Sequence, residues 1–135
     1  RLGAEAAVDS SQPGWAGEVR RLSGKRGVDW VVEHVGGETL EQSLRCLARG
    51  GSVVTCGATA GRNVELNLWP LFVKQQRLIG SYGRTRKDLE AVMDWAAMGR
   101  LKPVAHHVFP LSRTADAFAA LRSRGVLGKV LVVTS

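Results

Sequence analysis

The sequence predicts an α/β fold built on a parallel sheet. Three observations point there. Short Val-rich runs alternate with stretches of helical apolar period, the pattern of strand–helix–strand units. The run Val28 to Val35 is nearly continuous in apolar character up to Glu33, as in strands buried on both faces. The next clear strand, Ser52 to Cys56, follows one helix later, the spacing of a parallel crossover.

The elements follow in order. Ala6-Ala7-Val8-Asp9 is a short strand, and Ser10 to Gly14 a turn with Pro13. Trp15 to Leu22 is helical, with Trp15, Val19 and Leu22 on one face. Gly36-Gly37 ends the Val28–Val35 strand. Thr39 to Arg49 is a helix carrying Leu40, Leu44 and Leu47, and Gly50-Gly51 closes it at a left-handed position. Ala58 to Asn67 is a polar loop. Leu68 to Gln76 is a short helix that tolerates Pro70 in its first turn. Leu78 to Tyr82 is the third clear strand. Thr85-Arg86-Lys87-Asp88 resembles a capping box, with Asp in place of Glu or Gln. The helix after it carries Leu89, Val92, Met93 and Ala96 and stops near Gly99. Beyond Pro103, Val104 to Phe109 is a strand, Ser112 caps a helix through Arg122, and Gly128 to Thr134 is the last strand.

Composition narrows the function classes. A chain of 135 residues with 44% hydrophobic and 23% charged residues suits a globular domain rather than a disordered segment. The apolar runs are too short to span a bilayer. Nineteen Lys and Arg against twelve Asp and Glu give +7, an excess that suits an anionic partner. The basic groups are dispersed, Arg20, Arg21, Lys25 and Arg26 in one place and Arg84, Arg86 and Lys87 in another. No nucleic-acid module or aromatic interleaving accompanies them, so they read as a solvated face. Cys46 and Cys56 form no CxxC pair and no disulfide framework, which fits a reducing cytoplasm. The opening Arg1-Leu2-Gly3-Ala4 carries no Met and no signal-like segment, and reads as a start within a longer protein.

Several segments together carry a family resemblance. They are Leu2-Gly3-Ala4, Gly27-Val28-Asp29-Trp30-Val31-Val32-Glu33, Gly50-Gly51-Ser52-Val53-Val54-Thr55-Cys56-Gly57-Ala58, Leu78-Ile79-Gly80-Ser81 and Gly128-Lys129-Val130-Leu131-Val132. In order and spacing the chain resembles the C-terminal part of the medium-chain dehydrogenase/reductase family, in its zinc-type alcohol dehydrogenase and quinone oxidoreductase branch. The resemblance implies a partial Rossmann-like parallel sheet, later strands only, with C-terminal strands returning to a missing catalytic domain. Residues 1–100 would be the incomplete nucleotide-binding domain and residues 101–135 the returning segment. No GxGxxG occurs in the sequence. The glycine-rich turn, the residue that helps choose NAD or NADP, and the family's zinc ligands would all lie before Leu2.

The resemblance also implies a function. The intact protein would be an NAD(P)-dependent oxidoreductase that transfers hydride to or from an alcohol or carbonyl compound. Zinc would belong only to the missing domain. The chain alone would bind NAD or NADP weakly or not at all and would turn nothing over. A homo-oligomer through the edge of Leu78–Tyr82 would follow the family. The alternative is a non-catalytic α/β module acting through self-association, since loss of the first strand would expose the edge of Val28–Val35.

In open parallel sheets, ligands bind beyond the carboxyl ends of the strands. That rule selects His34-Val35-Gly36-Gly37, Cys56-Gly57-Ala58-Thr59 and Ser81-Tyr82-Gly83. With the resemblance, it assigns cofactor contacts to Val35, Gly57, Ala58, Thr59, Ser81 and Tyr82. Lys129 is added as a pyrophosphate contact by resemblance alone. Glycines ending strands are also needed by turns regardless of ligand.

Other residues invite chemistry without supporting it. Cys56 reads as a small buried hydrophobe, and Cys46 as core. His106 and His107 would point to opposite strand faces and could not easily share a metal. His34 either reaches a ribose or caps its strand. Glu33 reads as a charge at the sheet rim, with no second carboxylate spaced for acid/base work.

Overall fold

A computed structural model of the chain describes residues 3–123 and 125–134. Leu2, in the opening motif, lies outside the described residues. The chain divides into two compact units, Arg1–Gly83 and Arg84–Ser135.

The first unit holds α1 (Trp15–Leu22), β1 (Val28–Glu33), α2 (Gly37–Cys46), β2 (Leu47–Thr55), α3 (Leu68–Val73) and β3 (Arg77–Gly80). The three strands form a parallel sheet in the order β1-β2-β3. Leu40 of α2 and Leu47 and Val53 of β2 form its buried core, packed by Val28, Val31, Leu44 and Val64. The alternation of strand and helix thus produces the parallel sheet that the sequence predicts.

Several readings change in this unit. Residues 6–9 form no strand. Among the described residues no strand pairs with them, and unpaired extended backbone is not a strand. The helix after Gly37 stops at Cys46, and Leu47 already begins β2 in extended conformation. Leu47 is buried in either state, so apolar period alone could not place the boundary. Gly50-Gly51 therefore closes no helix. Val28 pairs with Leu47 and Trp30 with Ser52, so Ala48 to Gly51 loop out of the ladder. Gly50 takes a φ of 74° there, and its N–H donates to the Lys74 carbonyl at 2.8 Å. Finally, β1 is buried on one face only. Val31 and Glu33 face the helices, while Trp30 and Val32 remain 63% and 74% exposed.

The Leu68–Gln76 helix is shorter than expected and ends at Val73. Gln76 lies beyond it, and its side-chain amide donates to the carbonyls of Leu44 and Leu47 at 3.4 Å.

The second unit holds α4 (Arg86–Ala97), β4 (Ala105–Pro110), α5 (Thr114–Arg122) and β5 (Lys129–Val133). The capping box before α4 is present. Thr85 Oγ1 accepts from the Asp88 N–H, and the Asp88 carboxylate accepts from the Thr85 N–H. β4 and β5 pair in parallel as a separate two-stranded sheet, with α5 packed on both. Ser112 is not the cap of α5. It lies in a short 3-10 turn, Leu111–Arg113, and α5 starts at Thr114 without a side-chain cap.

His106 and His107 also depart from the alternation of a regular strand. Ala105 pairs with Lys129 and His107 with Val130, so the ladder is irregular at His106. The two rings meet edge to face with centroids 4.3 Å apart. Their proximity is a contact between rings. Among the described residues, no three His, Cys, Asp or Glu side chains gather as a metal-binding group.

Candidate functional site

Glu33, Thr55 and Gly80 are adjacent in the ladders of the first unit, so β1, β2 and β3 finish together at one carboxyl edge. The loops that leave this edge contain Val35, Gly57, Ala58, Thr59, Ser81 and Tyr82. The structure therefore brings these six residues of the first unit to one side of one sheet.

Backbone hydrogen bonds join the first two loops to each other and the third to the end of β2. The Cys56 N–H donates to the Glu33 carbonyl at 2.9 Å, and the Ser81 N–H to the Thr55 carbonyl at 2.9 Å. Further out, the Ala60 N–H donates to the Val35 carbonyl at 2.7 Å, and the Gly37 N–H to the Gly61 carbonyl at 3.1 Å. Thr59 Oγ1 lies 3.5 Å from the same Val35 carbonyl.

The glycines at this edge serve that close packing. A Cβ on Gly57 would lie 2.5 Å from the His34 carbonyl oxygen. One on Gly36 would lie 2.5 Å from the Gly61 carbonyl oxygen, and Gly36 also holds a φ of 75°. Their missing side chains admit neighbouring backbone, not open space. What faces outward is different. Ala58, Thr59, Ser81 and Tyr82 are exposed, while Val35 and Gly57 are half-buried. The edge thus offers small apolar groups beside hydroxyls.

Glu33 is the residue that sequence reasoning misplaced. It is no rim charge, being 3% exposed. Its Oε1 accepts from the Val35 N–H at 2.6 Å and the Gly36 N–H at 2.9 Å. Its Oε2 lies 3.3 Å from Thr55 Oγ1. Gly36 is the N-cap of α2, so the carboxylate sits at the positive end of that helix. One signal was available in the sequence. A carboxylate shortly before Gly-Gly and a helix is placed to cap that helix's free N–H groups.

The two cysteines separate. Cys46 is buried, and burial pushes its thiol above the usual range, partly offset by Arg20. Cys56 is exposed, against expectation, because it lies just past the last paired residue of β2. His34 is exposed, and its carbonyl is the group packed against Gly57. Lys129 opens β5 in the second unit and is exposed.

A groove of about 270 Å³ lies in the first unit, lined by Leu44, Leu66, Pro70 and Leu71 with Arg45 and Lys74. None of the strand-end loop residues lines it. The carboxyl edge is the better candidate because several independent loops converge there.

Comparison with known proteins adds the following. A family model described as zinc-binding dehydrogenase matches residues 2–132. Quinone oxidoreductase-like protein 2 of Bos taurus is 31% identical, over 96% of this chain and 40% of its own length. Crotonyl-CoA reductase of Streptomyces collinus is 28% identical, over 98% of this chain and 33% of its own. Among solved structures, an NAD-dependent alcohol dehydrogenase matches with a TM-score of 0.83 and 34% identity, over 98% of this chain and 39% of that one. A 2-octenoyl-CoA carboxylase reductase, solved with NADP and 2-octenoyl-CoA, matches with a TM-score of 0.74 and 29% identity. The chain thus spans 40% or less of these relatives.

Proposed function

The chain belongs to the zinc-binding dehydrogenase family, and from that premise we propose that it supplies the nicotinamide side of a dinucleotide site in an NAD(P)-dependent oxidoreductase. The observation that carries this reading is the shared carboxyl edge of β1, β2 and β3, with its joined loops. The complete activity is hydride transfer to or from an alcohol or carbonyl compound. When bound, the nicotinamide supplies the hydride.

The chain's own residues bind and orient. Val35 and Ala58 offer apolar contact to a flat ring. The hydroxyls of Thr59, Ser81 and Tyr82 suit the ribose and the carboxamide. Gly57 lets the first two loops pack closely enough to form one surface.

The test is ligand-observed magnetic resonance with the two halves of the cofactor. Nicotinamide mononucleotide should bind weakly and be displaced by whole dinucleotide. Adenosine monophosphate should bind more weakly, because the strand-end loops are read as the nicotinamide side of the site. Preference for adenosine monophosphate would contradict the reading.

A second reading has its own observation. Trp30 and Val32 on β1, and Leu78 and Ile79 on β3, leave exposed apolar groups on both outer strands. Such strands pair readily with another chain. Self-association through β3, at Leu78–Tyr82, is compatible with the cofactor reading.

A further inference from the structure

We propose that Glu33 is a positioning residue for the cofactor edge, acting through the Val35–Gly36 peptide rather than by touching ligand. The proposal rests on the nicotinamide reading above.

A carboxylate buried this deeply is costly unless every lone pair is used. Among the described residues its partners are hydrogen-bond donors, and none of the recorded ion pairs includes it. Two of those donors, the Val35 and Gly36 N–H groups, belong to the loop between β1 and α2. The third is the hydroxyl of Thr55, the last residue of β2. One side chain therefore ties the first loop to the neighbouring strand.

The tie reaches further. With its N–H held by Glu33, Val35 presents its carbonyl to the Ala60 N–H and to Thr59 Oγ1. The Gly37 N–H adds a tie of the opposite direction, donating to the Gly61 carbonyl. The second loop is thus seated on the first, and the first is seated on Glu33. Val35, Ala58 and Thr59, three of the proposed cofactor contacts, take their positions from this one carboxylate.

The experiment compares the wild-type chain with Glu33→Gln and Glu33→Ala. Gln keeps the shape and an acceptor oxygen for both N–H groups, whereas Ala removes all three bonds. Two properties are read, nicotinamide mononucleotide affinity and amide hydrogen exchange residue by residue. Affinity is expected to fall about tenfold or more in the Ala variant and to stay within about threefold in the Gln variant. Exchange at Val35, Gly36 and Ala60 is expected to accelerate in the Ala variant, with the Val53 and Val54 ladder amides unchanged. An Ala variant that is folded, binds like wild type and keeps those amides protected would overturn the proposal.

The exchange readout needs no ligand, so it tests Glu33 even if the cofactor reading fails. Should the Ala variant not fold, wild-type exchange decides. Val35 and Gly36 amides should exchange about a hundredfold slower than unstructured ones, and exchange near the unstructured rate would overturn the proposal.

Discussion

The Glu33 carboxylate accepts the Val35 N–H at 2.6 Å, two residues further along the chain. The same oxygen accepts from Gly36, so the strand end folds back on its own last side chain. This arrangement converts a strand terminus into a fixed loop, on which the neighbouring loop is seated through Ala60. The site is therefore held by backbone groups whose spacing depends on what lies beside them.

Gly57→Ala should be destabilising by about 1 to 3 kcal/mol, since the added methyl meets backbone at a distance no side-chain rotation relieves. Gly17→Ala is the matching control. Gly17 lies in α1 with open space around its Cβ position, and Ala there should stabilise by about 0.5 to 1 kcal/mol. Thermal unfolding of both variants checks the pair. Equal effects of the same sign would show that the two loops do not touch as described.

The cysteines should differ in reactivity. An aromatic disulfide reagent should modify Cys56 rapidly and Cys46 only on unfolding. Burial raises the Cys46 thiol above its ordinary value near 9.0. A group raised in the folded state contributes stability that is present below its unfolded value and lost as pH rises through the folded one. Stability should therefore decline above about pH 9, and Cys46→Ala should flatten that decline. Urea midpoints between neutral and alkaline pH provide the measurement.

The capping box of α4 carries the opposite sign. Hydrogen bonds from Thr85 hold the Asp88 carboxyl below the usual carboxylate range. Its contribution is present above the ordinary value of 3.8 and lost as pH falls through the lower folded value. Helix content in α4 should drop on acidification below that value, and Thr85→Ala should lower it already at neutral pH. Amide exchange across Arg86–Ala97 reads both effects.

Self-association should depend on β3. Ile79 is exposed on an outer strand, so Ile79→Lys should leave the fold intact and weaken any dimer. Sedimentation at increasing concentration tests this. A wild-type chain that stays monomeric throughout would remove the second reading.

Much of the fold was legible in the residues. The strands at Val28, Ser52 and Leu78 and the helix at Trp15 follow from apolar period and turn residues, and the structure contains each of them. What could not be read has physical causes. Leu47 satisfies a helix face and a buried strand equally, so the start of β2 was hidden. The exposure of Trp30 and Val32 depends on what covers a strand, which apolar content does not state. Glu33 is charged yet buried, so residue type alone points it to solvent. Its donors are backbone N–H groups, which residue type does not reveal.

The central claim is that the loops at the carboxyl edge form the nicotinamide side of a dinucleotide site. Titrating the isotope-labelled chain with NADH and NADPH, and following every backbone amide, tests it most directly. The account predicts saturable shifts concentrated at residues 34–37, 56–61 and 81–82. Saturable shifts concentrated instead around Leu66, Leu71 and Lys74 would contradict it.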